Sequence, residues 1–247
     1  MDHNSAENNS TSGRESSTTN GVSGAGPGKQ PLLDQLKLCV PAGADIIPGI
    51  KAGVETTISL VKDAHGTLTA ALGNQNSWAH QLKTYTIPLL ILGALSQFVK
   101  GSFIGHEIPL LGSWKEPVVA GFILHSMTLA VSAAGAVVVP WGVSKLIPLK
   151  ESLPQLVSLF RVMSTPSMLA TAFAVLGGLG WLVSLAAFVL GIYSLWTGAK
   201  IINQRNPEVG AVTFIAFTIL CAIAFGIVAA VLLAPLSPDV VGSATKL

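Results

Sequence analysis

Residues 179–234 read LGWLVSLAAFVLGIYSLWTGAKIINQRNPEVGAVTFIAFTILCAIAFGIVAAVLLA. Two apolar runs flank one short polar segment. A bilayer core is about 30 Å thick and a helix rises about 1.5 Å per residue, so about 20 apolar residues cross it. Both runs have that length. Working outward, the same grammar holds back to residue 86: apolar runs separated by short polar or Pro/Gly-marked breaks. The pattern predicts an all-α polytopic membrane protein whose membrane domain, residues 85–235, is a five-helix bundle. Its spans are about 86–105, 117–139, 156–176, 179–199 and 211–234.

Composition agrees. Half the residues are hydrophobic and 11% are charged, against about 25% charged in soluble domains. The net charge of +2 offers no basic field for nucleic acid. Cys39 and Cys221 lie far apart and fit no zinc spacing. Residues 1–30 are rich in Asn, Ser, Thr and Gly, which predicts a disordered tail. No apolar h-region of a cleavable signal peptide stands there. In 31–84, Val54, Ile58, Val61 and Leu68 form an apolar stripe flanked by Leu60 and Leu72. Glu55, Lys62, Asp63 and His65 lie on the polar side, and Pro48 and Gly53 act as punctuation. This predicts amphipathic helices on the cytoplasmic membrane surface or, as an equal alternative, a small cytosolic subdomain. Residues 236–247 form a short polar tail.

Within the membrane domain, Pro88 is expected in the first turn of the first span, where its missing N–H costs little. Pro140, Trp141 and Gly142 are expected to close the second span, and Pro166 to kink the third. Lipid gives helices no hydrophobic drive to associate, so small residues mark contacts. Ser184, Ala187, Gly191, Ser194 and Gly198 form such a stripe on the fourth span. Gly101 and Gly105 read as GxxxG on the first, and Ala222, Gly226 and Ala230 repeat the step on the fifth. With the N-terminus inside, the inner loops hold Lys83, Lys145, Lys150, Arg161, Lys200 and Arg205. That bias predicts a cytoplasmic N-terminus and an outer C-terminus.

Chemistry is sparse. There is no GxSxG, HExxH or Walker loop, and no Asp or Glu lies within a span. His106 and Glu107 are adjacent but lack a further ligand at metal spacing. No enzyme activity, metal or cofactor is expected. His125, near the middle of its span, and Arg161 are the candidate polar site, since intramembrane ionisable groups are functional candidates by default. A structural role for His125, bridging helices through Ser126, Thr128 or a carbonyl, is the competing reading.

Three segments resemble one family. These are YTIPLLILGAL opening the first span, STPSMLA in the third, and GIYSLWTGAKIINQRNPEVGAVTF from the fourth into the fifth. They are similar to the Yip-domain (Ypt-interacting protein) family, over about residues 60–235. Pro88, Thr165, Pro166, Tyr193, Lys200 and Pro207 carry the resemblance. The opening of the first span looks like the bacterial branch, which implies the cytoplasmic membrane and brings no assigned activity; a membrane scaffold or adaptor without catalytic activity is the expected function. Eukaryotic relatives imply an endoplasmic reticulum or Golgi location and Rab GTPase partners. The expected partners are membrane lipids, a membrane or cytoplasmic protein and a second copy of the chain. The alternative function is a small transporter, channel or lipid-translocating protein with a pathway near His125, Arg161 and Pro166.

Overall fold

The computed structural model describes residues 43–108 and 112–236. The expected disordered tail, Cys39 and the C-terminal tail beyond Leu236 lie outside these residues. Among the described residues the fold is helical apart from one small hairpin. Its elements are α1 (Gly43–Lys62), α2 (Ala64–Leu72), a continuous helix α3 (Trp78–Ile104), strands β1 (His106–Ile108) and β2 (Gly112–Trp114), α4 (Val118–Leu146), α5 (Leu153–Ala172), α6 (Gly178–Arg205) and α7 (Ala211–Leu233). The strands pair antiparallel, His106 opposite Trp114.

Helices α3, α4, α6 and α7 are long and apolar enough to cross a membrane. Four such helices mark an integral membrane protein. The sequence predicts five spans; the remaining one, α5, has 20 residues, about 30 Å, but lower apolarity. The reason is its place. It packs against α6, α3, α4, α2 and α1, and Leu156, Leu159, Val162, Ser158 and Thr165 are all buried. A helix wrapped by protein need not be apolar all round, because its neighbours satisfy its polar groups.

Two ends of the bundle can be distinguished. At the proximal end α3, α5 and α7 begin and α4 and α6 finish; the distal end carries the hairpin. The main core cluster is proximal: Leu60, Leu68 and Leu72 of the N-terminal helices meet Val143, Leu156, Leu159, Ile202 and Phe214. The predicted amphipathic stripe is therefore corrected. Leu60, Leu68 and Leu72 are the buried face, while Val54, Ile58 and Val61 are exposed. Leu60 lies on the same side of α1 as the buried Gly49 and Gly53.

Those two glycines make a close helix crossing. A Cβ at Gly49 would lie 2.7 Å from the Thr84 carbonyl oxygen and 2.7 Å from Pro88 Cβ; one at Gly53 would lie 2.7 Å from Leu89 Cδ2. So Gly53 is not punctuation but half of a GxxxG contact between α1 and α3. Asp45 at the start of α1 pairs with Lys83 at 3.7 Å, and Leu60 near its end joins the proximal cluster. Helix α1 thus lies across the spans rather than along them.

Helix α3 starts eight residues before the expected span at Thr86, so Pro88 sits inside it. The turn before the proline, Leu82–Thr86, is π-helical, and the Ile87 N–H reaches back to the Leu82 carbonyl. The wider turn accommodates a residue that cannot donate to Thr84, and π-turns are a recognised way to absorb such a defect. The second span likewise does not close at Pro140. Helix α4 continues to Leu146 with Pro140 buried inside it, supported by packing against α7.

Gly105, read as half of a packing pair, instead ends α3: its φ of 98° is a left-handed conformation suited to glycine. Its supposed partner Gly101 faces a side chain, described below. Ala222, Gly226 and Ala230 point outward, and a Cβ at Gly226 would meet nothing within 4 Å. The α6 stripe is used over part of its length. Ala187, Ser194 and Gly198 are buried, Gly191 is half-buried and Ser184 is exposed. Ser184 donates to its own helix at Gly180 (2.9 Å). Gly198 is the close approach: a Cβ there would lie 2.9 Å from Met163 Sδ, whereas one at Gly191 would keep 3.8 Å from Ser167 Oγ.

Candidate functional site

The polar groups that the sequence places together are separated by the structure. His125 belongs to a distal cluster and Arg161 to a proximal one. Along α3, Phe98 touches His125 and Tyr85 touches Arg161. Thirteen residues separate these contacts, a rise of about 20 Å.

The distal cluster holds a carboxylate that the sequence reading missed. Glu116 lies in the connection before α4, outside any span, yet its side chain folds back into the bundle. Its Oε2 is 3.2 Å from His125 Nε2, with side chains 7% and 16% exposed respectively. The backbone N–H of Glu116 donates to the Gly101 carbonyl at 3.0 Å. Two glycines make room for the carboxylate. A Cβ at Gly101 would lie 2.6 Å from Glu116 Oε2, and one at Gly121 would lie 3.1 Å from the same atom. Ser102 Oγ is buried nearby without a hydrogen-bond partner. Phe98 meets the His125 ring edge-on at 6.4 Å between centroids. His125 is the eighth residue of α4, roughly 10 Å from its start, and not at its middle as expected. Helix α4 runs on past Pro140, which shifts its midpoint away from His125.

A histidine and a carboxylate at this distance can share a proton or form a charged pair. The expectation that Ser126 or Thr128 partners His125 is replaced by this contact; Thr128 donates instead to the Leu124 carbonyl at 2.8 Å. The sequence signal for the pair is slight: a Glu-Pro step at the entry of a helix whose second turn carries a histidine.

The proximal cluster closes on itself. Thr165 Oγ1 donates to the Arg161 carbonyl at 2.7 Å, so at its 2.9 Å contact with Thr165 the Tyr85 hydroxyl is the donor. The Arg161 guanidinium lies over the Tyr85 ring, 4.3 Å from its centroid, a cation–π contact. Its Nη2 reaches Ser158 Oγ at 3.4 Å, and its Nε is buried without a hydrogen-bond partner. Thr165, picked out by the family resemblance, is thus a packing residue that joins α5 to α3.

The remaining motif residues are spread out. Pro88 is buried against Gly49, and Pro166 faces an apolar groove with Tyr193 on its opposite wall. Lys200 lies over the Trp196 ring at 5.2 Å. Pro207 follows Asn206, which latches the proximal loop: its Nδ2 donates to Glu151 Oε2 at 2.8 Å, and its Oδ1 accepts from the Lys150 N–H at 3.0 Å. Among the described residues no group of three or more His, Cys, Asp or Glu side chains could hold a metal. The side chains of His106 and Glu107 lie outside the described set. No protein-family model, curated protein or solved structure matches the chain.

Proposed function

We propose that this chain is a multi-pass membrane scaffold or adaptor of the Yip-domain type, crossing the bilayer five times with α5 as its protein-wrapped central span. The observation that carries the reading is α1. It is fixed across the proximal end through Gly49 and Gly53, and turns two other faces outward. One is apolar, with Ile47, Val54, Ile58 and Val61 exposed. The other is charged, with Lys51 and Glu55 paired at 3.8 Å in solvent. A helix of that kind lies in the membrane interface and offers its charged face to a cytoplasmic protein.

The orientation follows the cations. Lys83, Lys145, Lys150, Lys200 and Arg205 gather at the proximal end, which supports a cytoplasmic N-terminus and an outer C-terminus. The location proposed is the bacterial cytoplasmic membrane, or the endoplasmic reticulum or Golgi in a eukaryotic host. A transport pathway through His125, Arg161 and Pro166 is the lesser reading, because the two polar clusters are separate and each is satisfied largely within itself.

A photo-crosslinking residue at Lys51 or Glu55, introduced in cells, tests the adaptor role. It is expected to trap a discrete protein partner, while the same residue at lipid-facing Val228 traps none. Proton uptake by proteoliposomes that is lost in both Glu116→Gln and His125→Asn, with both variants folded, would overturn the adaptor reading in favour of transport.

A further inference from the structure

We propose that the groove between α1, α5 and α6 binds one acyl chain of a membrane lipid and retains it as a bound ligand. The inference rests on the chain being an integral membrane protein, but not on its being an adaptor. The groove has a volume of about 1030 Å³. Val54 and Ile58 of α1 form one wall, Pro166 and Leu169 of α5 the floor, and Leu185 and Val189 of α6 the other wall.

The lining selects for hydrocarbon. Thr57 and Tyr193 are its only residues with polar side chains. The Thr57 hydroxyl is already spent on the Gly53 carbonyl, within α1, at 3.1 Å. A ligand here finds almost nothing to hydrogen-bond, so it must bring almost nothing that needs one.

The dimensions select the chain. The α6 wall runs from Leu182 to Tyr193, a rise of about 16 Å. That is close to half of the roughly 30 Å hydrocarbon core, the depth reached by the tails of one leaflet. The surroundings supply the ligand. Leu185 and Val189 are 46% and 60% exposed and belong to a helix apolar enough to span, so the groove opens onto lipid. The groove follows the distal parts of α5, from Pro166 to Ala172, and of α6, from Leu182 to Tyr193, with α1 on its proximal side. A tail of the distal leaflet can therefore lie in the groove with its headgroup toward the hairpin end and its terminal methyl toward α1.

The test uses the full chain purified in mild detergent, exchanged into fresh micelles and titrated with palmitoyl-oleoyl phosphatidylglycerol. Bound phospholipid is counted by phosphate analysis and native mass spectrometry. The expected result is about one lipid per wild-type chain after exchange. Ala186→Phe, which fills the groove, should lower retention at least five-fold, and Val228→Phe on the outer face of α7 should leave it unchanged. Should Ala186→Phe not fold, Val54→Phe fills the groove from the α1 side. The proposal is overturned if wild type retains no lipid, if a folded groove-filled variant retains as much, or if Val189→Cys cross-links two copies through the groove. Release of the chain from membranes by alkaline carbonate would instead remove the membrane reading itself.

Discussion

Gly49→Ala isolates the α1–α3 crossing. The new methyl carbon would sit 2.7 Å from the Thr84 carbonyl oxygen and 2.7 and 2.8 Å from Pro88 Cβ and Cγ. Both neighbours are rigid, one being backbone and the other a ring. Ordinary contact begins near 3.4 Å, so α1 must move off α3 by several tenths of an ångström. Overpacking of this kind costs about 1–3 kcal/mol. Alanine also gains about 1 kcal/mol of helix propensity over glycine, which would mask part of the loss. Gly226→Ala supplies the reference, since it carries the same propensity gain with nothing within 4 Å of its Cβ. The difference between the two variants should therefore be about 1–3 kcal/mol, with Gly49→Ala the less stable. Reversible unfolding in mixed micelles, followed by circular dichroism, measures it. Limited proteolysis of residues 43–76 reports whether α1 has lifted. The reasoning fails if Gly49→Ala proves as stable as Gly226→Ala and equally resistant to protease.

On α6, Gly198→Leu should lower the unfolding temperature in detergent more than Gly191→Leu, because Gly198 abuts Met163 and Gly191 has room beside Ser167. Glu116→Gln and His125→Asn should be non-additive, with a coupling of about 0.5–3 kcal/mol in a double-mutant cycle; additive losses would show that the 3.2 Å contact contributes nothing. Tyr85→Phe removes one hydrogen bond and should cost about 0.5–1.5 kcal/mol, whereas Thr165→Val strands the Tyr85 hydroxyl and should cost about 1–3 kcal/mol by the same unfolding measurement. Asn206→Ala should raise hydrogen exchange in residues 147–152, since it frees the loop that Asn206 holds through Lys150 and Glu151.

By itself the sequence determined what depends on length and average apolarity. The helical class, the run of membrane-length segments and the polar breaks follow from one number, the bilayer thickness, and need no knowledge of neighbours. The turn at Gly177 and the start of α7 at Ala211 were legible for the same reason. Tertiary structure decided everything that depends on which face meets which. Gly49–Gly53 and Gly101–Gly105 have the same spacing, yet the first is a helix contact and the second cradles a carboxylate and ends a helix. Spacing places residues on one face but cannot say what lies opposite. Val54 and Leu60 share a hydrophobic character, but only Leu60 faces protein. Glu116 looked like a loop residue because a loop's side chains can fold back into a bundle without any periodic signal. His125 and Arg161 looked like one site because both are rare in spans, and only packing along α3 put them at opposite ends.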